Sequence, residues 1–300
     1  MKRGFMRVFG VITVSLMILS AVPINISAAF GNIYYISLYG SDANDGSFSA
    51  PFATFKKAAE TMKAGDTCFV RGGTYYETLE MNMQGTANGE ISFRAYNGEK
   101  VTLSGGEPLT NWTRHDGNIW VTDMNWNIYG GNGNMIFSDG GLCLEARWPN
   151  ASVAELLDKT KYAVLESNSA ETNGALSLTE SALPNGMDLT GAQIWCANGP
   201  SYWSTVFNID EYNLENKTIT FSDVFSTIGY RPKKGNIYYI KGKYCLLDSP
   251  GEWFKDGGKL YFYAPGGKDP NNMKIEAKKR EYVINLNNSA YISFNGINAR

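Results

Sequence analysis

Three neighbouring pairs in the 300-residue chain, each with at least one aromatic ring, have the chemistry to hold a ligand: Arg147-Trp148, Tyr202-Trp203 and Trp253-Phe254. A flat ring offers apolar area to the C–H face of a pyranose, while a neighbouring guanidinium, hydroxyl or amide binds its hydroxyls. Arg147, Trp148, Tyr202, Trp203 and Trp253 are therefore the candidate substrate-binding residues, with a polysaccharide or oligosaccharide as the partner. The competing use of each tryptophan is packing, because aromatic side chains dominate the cores of β domains.

Cleaving a glycosidic bond takes two carboxyl groups about 5–9.5 Å apart. Asp248, Glu252 and Asp256 are close in sequence, but Pro250-Gly251 between them marks a turn, so they read as surface or structural carboxylates. Glu77 and Glu80 are three apart and would point to opposite faces of a strand. Glu77 would share a face with Tyr75 and Leu79, which argues against an inward-pointing acid. Asp42 and Asp45 could offer oxygen ligands to calcium, yet both residue types are ordinary in turns. No catalytic residue is identified, and no cofactor is expected, calcium at Asp42 and Asp45 being the one alternative. His115, before Gly117, reads as a turn residue. As the only histidine it excludes a three-histidine zinc site and a His-Glu-x-x-His helix within this chain. Cys68, Cys143, Cys196 and Cys245 fit neither a zinc ribbon nor a redox pair. They read as buried thiols, with three disulfide connectivities as the alternative. A net charge of -2 without a basic cluster gives no footprint for nucleic acid.

The elements that must position these groups follow from composition and pattern. A hydrophobic content of 43% and charged content of 19% describe a globular chain, and Gly 32, Tyr 18 and Phe 15 favour short strands joined by turns, so the fold is mostly β. Residues 1–29 read as a signal peptide: Lys2, Arg3 and Arg7 precede an apolar run too short to span a bilayer with margin, and Ser27-Ala28-Ala29 offers small residues for cleavage. The expected protein is secreted, acidic and free of the membrane once the signal is cleaved. Beyond it, residues 33–36 form a strand, and Phe55, Ala58, Ala59 and Met62 at helical spacing behind Thr54 predict a short helix ended by Gly65. Lys56 and Lys57 in its first turn oppose the helix dipole, at about 0.3–1 kcal/mol each. Phe69 and Phe93, 24 residues apart in similar strand-then-glycine settings, suggest a solenoid period. Residues 30–109 then form the N-terminal cap and first coils of a parallel β-helix. Residues 110–277, richer in aromatic strands with irregular turns, form an inserted β-rich domain, and coils resume over residues 278–300. A solenoid that stopped there would expose an apolar end, so the sequence is expected to be the front of a longer, truncated solenoid.

The run Tyr34-Tyr35-Ile36-Ser37, then Gly40-Ser41-Asp42-Ala43-Asn44-Asp45-Gly46-Ser47, Ala50-Pro51-Phe52-Ala53-Thr54-Phe55 and Gly65-Asp66-Thr67, resembles the N-terminal cap of secreted right-handed parallel β-helix proteins with a pectate-lyase-like fold. Phe137-Ser138-Asp139-Gly140, Ala146-Arg147-Trp148-Pro149-Asn150, Asp248-Ser249-Pro250-Gly251-Glu252-Trp253-Phe254 and Leu260-Tyr261-Phe262-Tyr263-Ala264-Pro265 are similar to bacterial members grouped with glycoside hydrolases. The resemblance implies the N-terminal portion of a β-helix glycoside hydrolase acting on plant or other complex polysaccharide. A pectate-type lyase relative and a non-catalytic glycan-binding or structural module are the alternatives. It also implies that catalytic acids, and the calcium-binding aspartates of the lyases, lie on later coils, so no catalytic residue carries over.

Overall fold

The computed structural model describes residues 31–225 and 227–300; the expected signal peptide lies outside the described residues. The chain opens with β1 (Ile33–Ile36), then helix α1 (Phe55–Thr61), β2 (Thr67–Val70), β3 (Gly73–Tyr75), β4 (Leu79–Glu80), β5 (Ile91–Ala95) and β6 (Val101–Leu103). β1, β2 and β5 pair side by side in parallel, and the late strand Ile292–Asn295 continues their sheet beyond β5. Ile297–Ala299 joins β6, which also pairs β3, and Ile284–Asn285 pairs β4, again in parallel. Successive coils stacked on three sheet faces make a β-helix. Its interior is a closed apolar column in which Ile36, Phe55, Cys68, Val70, Leu79, Phe93 and Leu103 are fully buried.

The register corrects the expected period. Cys68, not Phe69, lies opposite Phe93, which in turn lies opposite Phe294, so the repeat between these coils is one residue longer than the spacing of the two phenylalanines. One step along a strand reverses the face. Phe93 therefore points inward and stacks on Phe55 and Phe294, with ring centroids 5.8 and 5.4 Å away. Phe69 stays on the outer face, where it stacks on Tyr35 at 5.8 Å.

Helix α1 buries Phe55, Ala58 and Ala59, and Thr54 caps it by accepting the Lys57 N–H at 3.0 Å. No acid lies in its first turn. Glu77 supplies one from outside: its carboxylate accepts the Phe55 and Lys56 N–H groups at 3.0 and 3.1 Å. The lysines that opposed the dipole are thus met by a carboxylate held on the next coil. The stretch expected as one strand through Glu77 is broken there, between β3 and β4.

Between β3 and β4 the chain turns its corner in residues 76–78. The equivalent corner of the next coil, between β6 and Ile284–Asn285, takes residues 104–283. This stretch forms antiparallel sheets whose strands pair only with one another among the described residues. They enclose two cores of their own, one around Tyr238, Ile194 and Phe221, the other around Trp253, Phe262 and Met124. Entry and exit run together as Gly106–Pro108 against Ile275–Lys278. Arg280 ties this neck to the coils, donating to Gly106 O at 2.5 Å, Tyr76 O at 2.6 Å and Glu107 at 3.0 Å. The four cysteines are free thiols; Cys68, Cys143 and Cys196 are buried, and burial pushes each of their pKa values up.

Candidate glycan-binding site

The two sequence blocks that looked most family-like meet in space. The Arg147 N–H donates to Glu252 at 3.4 Å, and the Asn150 amide donates to Asp248 at 2.9 Å. Glu252 is 3% exposed, and burial together with the Asp248 charge pushes its pKa up to about 8. Its other oxygen accepts the Ser249 N–H at 3.3 Å. This carboxyl holds a turn against a strand and has no open approach for a substrate.

Arg147 is equally enclosed. Its guanidinium lies 4.0 Å over the Tyr239 ring and 5.1 Å over Tyr162, and its Nε donates to Pro149 O at 3.0 Å. Trp148 packs towards the core, 6.1 Å from the Tyr238 ring. Trp253 is 4% exposed, with its indole N–H on Cys143 O at 3.1 Å. The expectation of a sugar platform at Arg147, Trp148 and Trp253 is corrected: Trp148 and Trp253 turn towards the antiparallel cores, and Arg147, on the opposite face of its strand from Trp148, is covered by the Tyr162 and Tyr239 rings.

Tyr202 and Trp203 stand elsewhere and in the open, at 73% and 57% exposure. They begin the strand Trp203–Asn208, which pairs with Gln193–Asn198 as a hairpin. Trp203, Thr205, Val224, Phe225 and Tyr230 line a groove of about 520 Å³ at the hairpin tip. The Trp203 and Tyr230 rings lie 6.3 Å apart, inclined by 43°. The neighbouring Tyr230 holds the Tyr202 phenol above its usual pKa. Gly199 permits the tight approach of the 228–230 segment: its φ is +49°, and a Cβ there would come within 2.5 Å of Gly229 O. Asn198, the register partner of Trp203, is fully buried, yet neither atom of its amide has a partner among the described residues. Burying an unbonded amide costs about 1–3 kcal/mol.

The remaining candidates have structural duties. Asp42 accepts the Ala53 and Thr54 N–H groups at 2.9 and 3.1 Å, and Asp45 accepts that of Ser47 at 2.9 Å. His115 lies on the exposed strand Thr113–Asp116, beside the rings of Tyr261 and Tyr244 at 5.1 and 5.8 Å. Sequence reasoning missed Tyr230 and Phe225, which come from a separate segment and meet Trp203 only in three dimensions.

Residues 34–142 match the family described as the Pel9A-like, right-handed β-helix region. Over 75 residues the chain is 44% identical to the uncharacterized protein YwoF of Bacillus subtilis, covering 25% of this chain and 16% of that protein. Over 75 residues it is 39% identical to pectate lyase PEL9 of Emericella nidulans, covering 24% of this chain and 18% of the other. The chain thus spans less than a fifth of the length of these curated relatives. A solved glycoside hydrolase superposes on 89% of the chain, using 50% of its own, with a TM-score of 0.67 and 21% identity. At that identity the likeness is one of fold, and it extends across the antiparallel region as well as the coils.

Proposed function

We propose that this chain is the N-terminal portion of an exported β-helix glycoside hydrolase, in which residues 1–29 direct secretion and residues 110–277 are an inserted domain that binds polysaccharide. The observation that carries the reading is the open aromatic groove at Tyr202, Trp203 and Tyr230. Loops and hairpin tips on a rigid scaffold are where binding groups concentrate, and an exposed indole beside a phenol suits the apolar face of a sugar ring. Glycan-active relatives support the choice of ligand. Replacing Trp203 by Ala should weaken retention in affinity gels containing pectin, xylan or other plant polysaccharides, with the melting temperature nearly unchanged. Retention equal to wild type on every polysaccharide that the wild type binds would sink the reading.

A further inference from the structure

A second polar cleft, of about 310 Å³, lies at the opposite end of the hairpin that carries Trp203. In the five-stranded sheet, Gln193 lies opposite both Asn208 and Lys241, so these three side chains form one row across three strands. The row is on the face turned away from the core, since Ile194, Phe207 and Ile240, one step along each strand, are buried. Glu145 pairs with Lys241 at 2.7 Å, and Gln193 donates to Asn208 at 3.2 Å. Across the cleft stands Asn127, which accepts from Asn134 at 2.9 Å.

These contacts leave a defined set of unused groups. Among the described residues, Glu145 Oε1 and Gln193 Oε1 are acceptors without a protein donor, while Asn208 Nδ2 and Asn127 Nδ2 are donors without an acceptor. Five glycines of the rim, Gly130, Gly131, Gly191, Gly242 and Gly257, have positive φ, and a Cβ on Gly130 or Gly257 would meet nothing within 4 Å. The opening is therefore kept clear by residues without side chains. Alternating donors and acceptors suit a group that both donates and accepts, as a hydroxyl does and a carboxylate does not. The Glu145 charge disfavours an anion, and Lys241 with Lys255 disfavours a cation.

We propose that this cleft binds one neutral sugar residue through its hydroxyls, as a site separate from the aromatic groove. The proposal shares the premise that the chain handles glycans, but its residues are different, about 17 Å away along the hairpin at about 3.3 Å per residue. Saturation-transfer NMR of the full chain with free glucose, galactose, mannose, xylose, arabinose, rhamnose and galacturonate tests it. At least one neutral sugar should give a signal with a dissociation constant of about 1 mM, a weak but measurable affinity. Gln193→Met should weaken it at least tenfold. Gly257→Asn should do the same from outside the sheet, since Asn tolerates the left-handed conformation and adds a side chain at the mouth. In Trp203→Ala, which strips the aromatic groove, a signal that Gln193→Met weakens should persist. The proposal is overturned if no neutral sugar binds, if galacturonate alone binds, if both cleft variants bind as wild type does, or if Trp203→Ala removes the signal. If monosaccharide binding persists while polysaccharide retention proves independent of Trp203, the groove reading fails and this one stands.

Discussion

The β-helix coils and the antiparallel hairpins put their polar side chains to different uses. In the coils, Asp66 accepts the Asn32 and Lys63 N–H groups at 2.6 and 2.7 Å, Glu99 accepts that of Gly72 at 2.5 Å, and Glu77 and Asp42 hold the ends of α1 and its loop. Parallel strands of two to five residues leave frequent corners, and corner amides need acceptors that the sheet does not supply. In the hairpin Gln193–Asn198 with Trp203–Asn208, the ladder pairs the backbone, so the side chains of Gln193, Asn208 and Trp203 carry no main-chain hydrogen bond. The region that contributes most to the solenoid's architecture is thus the one with least chemistry to spare.

The largest effect should come from the coil core. Phe93 is fully buried and stacked between Phe55 and Phe294, so Phe93→Ala should cost about 3–5 kcal/mol. Phe69→Ala, on the outer face, should cost clearly less. Equal losses in denaturant unfolding would mean that the one-residue register offset is wrong. Near-ultraviolet circular dichroism, dominated by the tryptophans of residues 112–253, would report whether the antiparallel region melts with the coils or after them.

The next effect belongs to the antiparallel region and to pH. Burial holds the Glu252 carboxyl at a folded pKa of about 8, against 4.5 for a free glutamate side chain. A group whose pKa is raised on folding contributes stability that is fully present below the unfolded value and is lost as pH rises through the folded one. Stability should therefore fall between about pH 4.5 and 8, by up to about 1.4 kcal/mol per pH unit from this group. Asp248→Asn removes one of the two causes of the shift and should flatten that slope. A melting temperature that is level from pH 5 to 8 in both proteins would show Glu252 ionised in the fold.

Much of this contrast was legible in the sequence, and the exceptions have physical causes. Thr54, the apolar stripe of α1 and the strand at residues 33–36 were local patterns, and they formed as read. Phe69 misled because an aromatic ring on a short strand suggests the interior, whereas here the small Cys68 and Val70 face the core and Phe69 packs outside with Tyr35 and Tyr96. Trp203 and Trp253 could not be told apart, since each has an aromatic neighbour in sequence. Their fates were decided in three dimensions: Trp253 is enclosed in a core, whereas Trp203, on the same strand face as the buried Phe207, stands beyond the core at the hairpin tip. The row Asn208, Gln193 and Lys241 comes from three segments joined only by register. Alternation in Gln193-Ile194-Trp195-Cys196, with polar or amphipathic residues at every second position, was its one local sign.

The smallest effect tests how a coil acid serves the helix beside it. Glu77→Ala would strip the acceptor from two N–H groups at the start of α1 and should cost about 1–2 kcal/mol, the usual range for losing a helix cap. Lys56 is well exposed, its amine 3.9 Å from Glu60, an arrangement that contributes little. In the wild type its charge faces a helix start that already holds the Glu77 carboxylate, so Lys56→Ala should change stability by less than about 0.5 kcal/mol. Without Glu77 the same lysine meets only the positive end of the dipole, and Lys56→Ala should then stabilise by about 0.3–1 kcal/mol. The double-mutant cycle isolates this coupling. If Lys56→Ala has the same effect with and without Glu77, the carboxylate acts only as a hydrogen-bond acceptor, and the helix start gains nothing from its charge.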